Sequence, residues 1–595
     1  MKKIFYFSSA LLVALAFAGC NDEEFLKEEP KTIYTVENAF EKSSQVDAQL
    51  ARVYYQAARM FCWGTSYGEM SSGPATTLNG VGSDTNDSTG QTSSAGSSFS
   101  NYSILNTTTG RFNTLWNNLY QLAAYANLTI KGADMVEWAD QTAKAYDVAQ
   151  AMFFKGWAYL RLAECFGGVP IVDEYTESLK FDYARASRQE TYQYAIDCFN
   201  AAITGLAGKE TKNAISESTA RHFLTEALIA QGIETGQQSY FTQAVAEADK
   251  VIAKHPIMLE RFGVRANPKD AGSINGIPNY KEDGNVFYDL FQLGNYNTPA
   301  NTEALWVIDQ PTYDERAANG GIRYTMANNI GQPYRDLMWS DEYKEEQASK
   351  GPWAANIDTH LYPMGTTCAY LGGVTWTCLG SNDYIDEFIW RDKYAGGDIR
   401  NSQLVLCTPV CLDTKHSLYN KVVEKYMLSE PARHMRISCK IKMQDQWGFD
   451  SHHSQYNYQY GRDWYAARSA ETYLLKAEAQ FRAGNTADAA STLNVLRSRA
   501  HADYMLTASD INIYTILDER SRELMWEEHR WPTLLRMGKS GEENVVMHDQ
   551  IMNHAMYVVE VPTYTSGTPK WSLFPIPETV VQLNTDLPIE QNPGW

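Results

Sequence analysis

Apolar residues recur every three or four positions in several long runs of this chain, the spacing of a helix with one buried face. Leu50, Val53, Ala57 and Phe61 predict a helix over 47–61. Leu115, Leu119, Leu122, Ala126 and Ile130 predict one over 115–131, and Phe153, Trp157 and Leu160 lie in another over 143–165. "CFGGVPIV" then breaks the period with two glycines and a proline. Helical spacing resumes over 189–206, 218–235 and 239–254, and far downstream over 466–483 and 486–500. Gly236 and Gly484 punctuate the last two joints, and Ala487, Ala490, Leu493 and Leu496 line the helix after the second.

The helices therefore fall into about four pairs: 47–61 with 115–131, 143–165 with 189–206, 218–235 with 239–254, and 466–483 with 486–500. Pairs with small residues at the crossing resemble tetratricopeptide units, and stacking them buries a core that no pair buries alone. The predicted fold class is mainly α: a tetratricopeptide-like helical-pair scaffold carrying an irregular, loop-rich insertion. The scaffold spans 47–255 and is interrupted by the polar loop 64–101. The insertion spans 256–462, rich in Gly, Pro and Asn, and holds Trp306, Trp339, Trp353, Trp376, Trp390 and Trp447. Residues 463–595 add the fourth pair and a last segment, "LFPIPETVVQLNTDLPIEQNPGW". That tail is too apolar for a solvated linker. Pro575 and Pro577 fix φ and reduce the entropy lost on docking. The tail reads as an arm that staples the chain end onto the helices, rather than as a binding site.

The N-terminus changes the picture. "MKK" precedes the apolar run "IFYFSSALLVALAFAG", which reads as a secretory signal over 1–19. It stops at Cys20, and "AGC" resembles the lipobox of bacterial lipoproteins, with Phe17 where that motif prefers Leu. Residues 20–46 then form a lipidated N-terminal segment. Loss of Lys2 and Lys3 takes the formal charge from −20 to about −22. Such acidity argues against nucleic acid or an anionic membrane surface as the main partner. The 37 Tyr and 15 Trp suit amphipathic binding surfaces. Cys165 and Cys198 fall on apolar helix faces and read as core residues; no disulfide pairing is assigned.

Most motifs for catalysis are missing: there is no H-E-x-x-H, phosphate-binding loop or dinucleotide fingerprint. "SDTNDSTG", residues 83–90, partly echoes a calcium loop but lacks the glycine at its sixth position and the glutamate at its twelfth. No cofactor or metal is expected; a structural calcium is the one alternative. In "ERSRELMWEEHRW", Glu519, Glu523 and Glu527 recur beside Arg520, Arg522 and Arg530. That spacing reads as a salt-bridged structural helix, with Glu519 one turn from Arg522, and Arg468, Glu471 and Glu478 read in the same way.

Several of these stretches together resemble the SusD/RagB family of outer-membrane nutrient-binding lipoproteins. The matching features are "RSAETYLLKAEA", "ERSRELMWEEHRW", "FGGVP" and the terminal "PIP" and "QNPGW". They run in family order from Cys20 to Trp595. The resemblance implies no enzyme activity and surface exposure on the outer membrane through lipid at Cys20. It implies capture of oligosaccharide or polysaccharide, or alternatively of peptide, and delivery to a TonB-dependent SusC-like porin. A glycoside hydrolase is the rival reading. The implied ligand face maps onto 64–101 and roughly 290–390. There, Tyr324, Trp339, Tyr343, Trp353 and Trp376 supply rings, and Tyr67, Asp84 and Asn86 supply a further ring and polar groups. Loop 64–101 contains no Trp, which makes starch itself doubtful as the ligand.

Overall fold

The computed structural model describes residues 36–61, 73–80, 83–87, 105–263, 284–292, 294–310, 340–348, 380–408, 422–427, 436–440, 463–554 and 572–595. Eight helices form the scaffold: α1 Ser43–Ala58, α2 Gly110–Met135, α3 Gln141–Phe166, α4 Arg188–Gly205, α5 Glu217–Thr235, α6 Gln238–Lys254, α7 Ser469–Arg482 and α8 Thr486–Arg499. Each packs on the next, and α6 packs on α7 across the intervening insertion. The four expected pairs are all present, in the expected order. No helix among the described residues is long and apolar enough to cross a membrane.

Local chemistry explains where these helices start and turn. The Asp140 carboxylate accepts from Thr142 N at the start of α3, and Ser187 with Glu190 closes a capping box on α4. Gly236 and Gly484 sit at φ 72° and 86° between the members of the third and fourth pairs, a conformation glycine adopts without steric cost. At the α3–α4 crossing, a Cβ on Gly156 would lie 3.1 Å from the Ala195 carbonyl, so the small residue sets how closely the helices approach. Along α8, Ala489, Ala490, Leu493 and Leu496 are buried while Ala487 faces solvent.

Strands connect the insertion to the scaffold. β1 is Asn86–Asp87, β2 Ala304–Ile308, β3 Gly380–Ser381, β4 Leu406–Cys407, β5 Ile437–Ser438 and β6 Trp464–Arg468. β2 and β6 pair antiparallel and are buried along their whole length. Residues 466–468, expected within a helix, therefore belong to β6. The Arg468 backbone pairs with Ala304 before the chain turns into α7.

The C-terminal arm docks as expected. Phe574, Ile576 and Ile589 are buried, and Trp595 stays partly exposed against Phe112. Burying each large side chain is worth roughly 1.5–3 kcal/mol. Phe574 N donates to the Cys165 carbonyl at 2.7 Å, and the Asn592 amide donates to the carbonyls of Phe166 and Phe574 at 2.9 and 2.6 Å. Arg185 donates to the Glu590 carbonyl and to Asn592 Oδ1. Cys165 and Cys198 are buried and free.

The acidic–basic run near 520 forms α9, Ile513–Leu524, and then α10, Arg530–Leu535. Glu519 pairs with Arg522 at 2.9 Å, one helical turn away as the spacing predicts. Glu527 lies beyond the end of α9, in a turn where Trp526 takes φ 68°. These charges are buried rather than solvated. Glu523 is fully buried and meets Arg468 at 2.7 Å, Arg400 at 2.9 Å and Arg499. Glu519 meets Arg400 and Arg497, each at 2.8 Å. Glu303, beside β2, receives Arg468 and Arg499. The network thus binds the insertion to the fourth helical pair through groups that burial would otherwise penalise heavily.

Candidate functional site

The two segments assigned to ligand binding from sequence meet in space. β1, from the polar loop, pairs antiparallel with β3, from the insertion: Asn86 faces Ser381 and Asp87 faces Gly380. Asn382 fastens the junction. Its side-chain amide donates to the carbonyls of Asp84 and His554, at 2.7 and 2.8 Å, while its Oδ1 accepts from Ile385 N and starts the helical turn Asp383–Asp386. Ser381 donates to Asp386 at 2.7 Å, and Asp386 accepts from Arg436 N at 2.8 Å.

A stack of rings rises from this base. The Tyr384 and His554 rings lie 4.1 Å apart at 25°, and Phe388 lies 5.1 Å from His554. Tyr384 is buried and donates to Asp518 Oδ1 at 2.6 Å. Phe388 is 50% exposed, an apolar face beside the junction. The Arg391 guanidinium stands 5.8 Å over its ring and pairs with Glu387 at 3.0 Å. Burial lowers the pKa of His554 and so favours its neutral form, and burial raises that of Asp518. The outcome is an exposed ring with the Glu387 carboxylate and the Arg391 guanidinium beside it, chemistry that suits a ligand with an apolar face and hydroxyl edges.

The residues singled out from sequence fare differently. Asp84 is fully buried, and both its oxygens accept from Arg530, at 2.9 and 2.5 Å. Its charge is used to hold the loop, so it is a structural anchor rather than a ligand-facing group. The same pairing removes it from the partial calcium-loop pattern. Tyr343 is also buried, 6.3 Å from the Tyr426 ring, because it is the one large apolar side chain of an otherwise polar helix, Asp341–Ala348. Asn86 contributes its backbone to β1. Tyr67, Tyr324, Trp339, Trp353, Trp376 and Cys20 lie outside the described residues. Among the described residues, no group of three or more His, Cys, Asp or Glu side chains is placed to hold a metal ion. Phe388 and His554 were not singled out from sequence. Neither sits in a distinctive motif, and only the fold brings them together.

Comparison with known proteins agrees with this architecture. Residues 423–595 match the model of the SusD family, and residues 25–227 match one described as starch-binding associating with outer membrane. A SusD-like protein P2 from Formosa agariphila is 24% identical over 401 residues, 66% of this chain and 70% of that protein. Among solved structures, a SusD homolog from Bacteroides thetaiotaomicron has a TM-score of 0.64 at 17% identity, covering 94% of this chain and 98% of the other. A laminarin-binding SusD-like protein has a TM-score of 0.59 at 19% identity, covering 93% and 100%. These structural likenesses carry the fold. The two family matches lie on either side of residues 228–422, follow the order of the sequence motifs and together take in more than half of the chain, which belongs to the SusD/RagB family.

Proposed function

We propose that this protein is a glycan-binding lipoprotein of the cell surface. Lipid on Cys20 anchors it in the outer membrane. It captures oligosaccharide or polysaccharide without cleaving it and hands it to a TonB-dependent SusC-like porin. The observation that carries the reading is the exposed Phe388 ring beside the β1–β3 junction, where the polar loop and the insertion join. The outer-membrane and starch-binding description of the matched family and the laminarin binding of a structural neighbour support the ligand class. Trp339 and Trp353 flank the polar stretch "SDEYKEEQASKGP" and complete the proposed set of stacking rings.

Affinity electrophoresis through gels containing laminarin, starch or other polysaccharides tests this reading. The mature protein should be retarded by at least one glycan and release no reducing ends from it. Phe388→Ala, Trp339→Ala and Trp353→Ala, each folded by circular dichroism, should weaken retention, with a true anchor costing roughly 2 kcal/mol or more. Wild-type retention by all three variants would remove the assignment of the site. Retardation by no glycan would remove the ligand class, and reducing-end release would favour the hydrolase.

A further inference from the structure

A second surface stands apart from the ring stack. The C-terminal arm and the segment after α3 enclose a cleft of about 320 Å³. Its walls are Trp116 and Tyr120 of α2, Val172 and Phe181 of the 170–183 segment, and Val580 and Ile589 of the arm. Several polar groups of this lining are engaged within the protein. The Tyr120 hydroxyl donates to the Pro170 carbonyl at 2.6 Å. Asn584 accepts from Tyr183 N and donates to the Tyr183 carbonyl, both at 2.9 Å, and donates also to the Leu587 carbonyl. Lys180 lies over the Tyr183 ring, 3.7 Å from Asp182. A visitor therefore meets aliphatic and aromatic surface.

The volume lies at the lower end of small-ligand sites, which run roughly 300–1,000 Å³. That is room for one or two large apolar side chains. Around the cleft, large apolar side chains face water: Leu179 is 88% exposed, Leu583 65%, Phe181 41% and Leu587 41%. A contiguous apolar patch with a polar rim marks an interaction surface. The rim here is acidic on balance: Glu174, Asp182, Asp586 and Glu590 are exposed within two residues of the lining, against Lys180 in the lining and the part-buried Arg185. An anionic lipid surface is repelled by such a rim, a fatty-acyl chain makes no use of it, and a second copy would set like charge against like.

We infer that the cleft receives an apolar side chain presented by a partner polypeptide between lysine or arginine residues. The arm, read from sequence as a staple alone, thus also forms one wall of a docking site. The inference does not depend on glycan binding.

Fluorescence anisotropy with the mature protein and the labelled peptide KKLWLKK tests it. The peptide should bind, more weakly as salt rises, because exposed charges are screened over about 10 Å at 0.1 M. EELWLEE should bind at least tenfold more weakly. Phe181→Ser and Leu583→Ser, both at exposed positions, should each weaken KKLWLKK at least tenfold while leaving glycan retention unchanged. Equal binding of the two peptides, or equal binding by wild type and both variants, would overturn the proposal. So would displacement of the peptide by dodecanoate at equimolar concentration, which would make the cleft an acyl site. Self-association in sedimentation velocity that the variants abolish would make it a contact between copies.

Discussion

Replacing Glu523 with glutamine should destabilise the protein by about 3–5 kcal/mol, the usual cost of removing one partner from a buried ion pair. Glu523 is the shared acceptor for Arg400, Arg468 and Arg499, and all four side chains are buried. An amide keeps the shape but removes the charge that offsets three guanidinium groups. Glu303, Glu519 and Glu527 compensate only in part: Glu303 is shared between Arg468 and Arg499, Glu519 also serves Arg497 and Arg522, and Glu527 also serves Lys440. Glu542→Gln gives the contrast. Its pair with Lys539 is solvent-exposed, so the change should be within about 0.5 kcal/mol. Urea unfolding midpoints at unchanged slope measure both. Equal midpoints for the two variants would mean that the network does not hold the insertion to the scaffold.

Acid should unfold the protein along a defined course. In the fold, burial opposes ionisation of Glu519 and Glu478, yet their arginine partners hold both down to about 2 from an ordinary 4.5, and hold Glu523 well below it. A carboxylate depressed in the folded state contributes stability that is fully present above its unfolded value. That stability is lost as pH falls from about 4.5 toward 2. A shift of this size corresponds to roughly 3 kcal/mol for each group, and shared arginines make the groups less than additive. Other carboxyls act in the opposite direction. Burial raises Glu164 and Asp147 to about 7, the latter helped by its hydrogen bond with Asp47, and raises Asp518 and Asp309 above their ordinary value. Their folded forms take up protons first, so they add stability as pH falls from about 7 toward 4.5. Between about pH 7 and 4.5 this gain is opposed by His529, His548 and His554, whose burial lowers their pKa, so the feature expected of the profile is a steep drop below pH 4. Urea midpoints between pH 3 and 8 check the course. A flat profile down to pH 3 would contradict the buried network as drawn.

Much of the scaffold was legible because its signals are local. The period of Leu115, Leu119 and Leu122, the glycines at 236 and 484, and the prolines at 575 and 577 each constrain the chain within a turn or two. The β2–β6 ladder was not legible. "ALWVI" and "WYAAR" are short, buried on both faces and far apart in sequence, so no alternation betrays them. Charge pattern misled in the same way. Asp84 looked like a polar loop residue because its partner, Arg530, stands 446 positions away. Tyr343 sits among charges in sequence, yet turns its ring into the core. The meeting of the polar loop with the insertion was anticipated only through family resemblance. Its base, from Asn382 to His554, emerges from three-dimensional neighbours that no spacing announces.

Hydrogen exchange with and without a saturating glycan, chosen from those that retard the protein, tests the central claim most directly. The account predicts slowed exchange in peptides covering 83–87 and 380–390, and no change over 170–183 and 572–595. Slowing confined to the helical pairs or to the arm would contradict it.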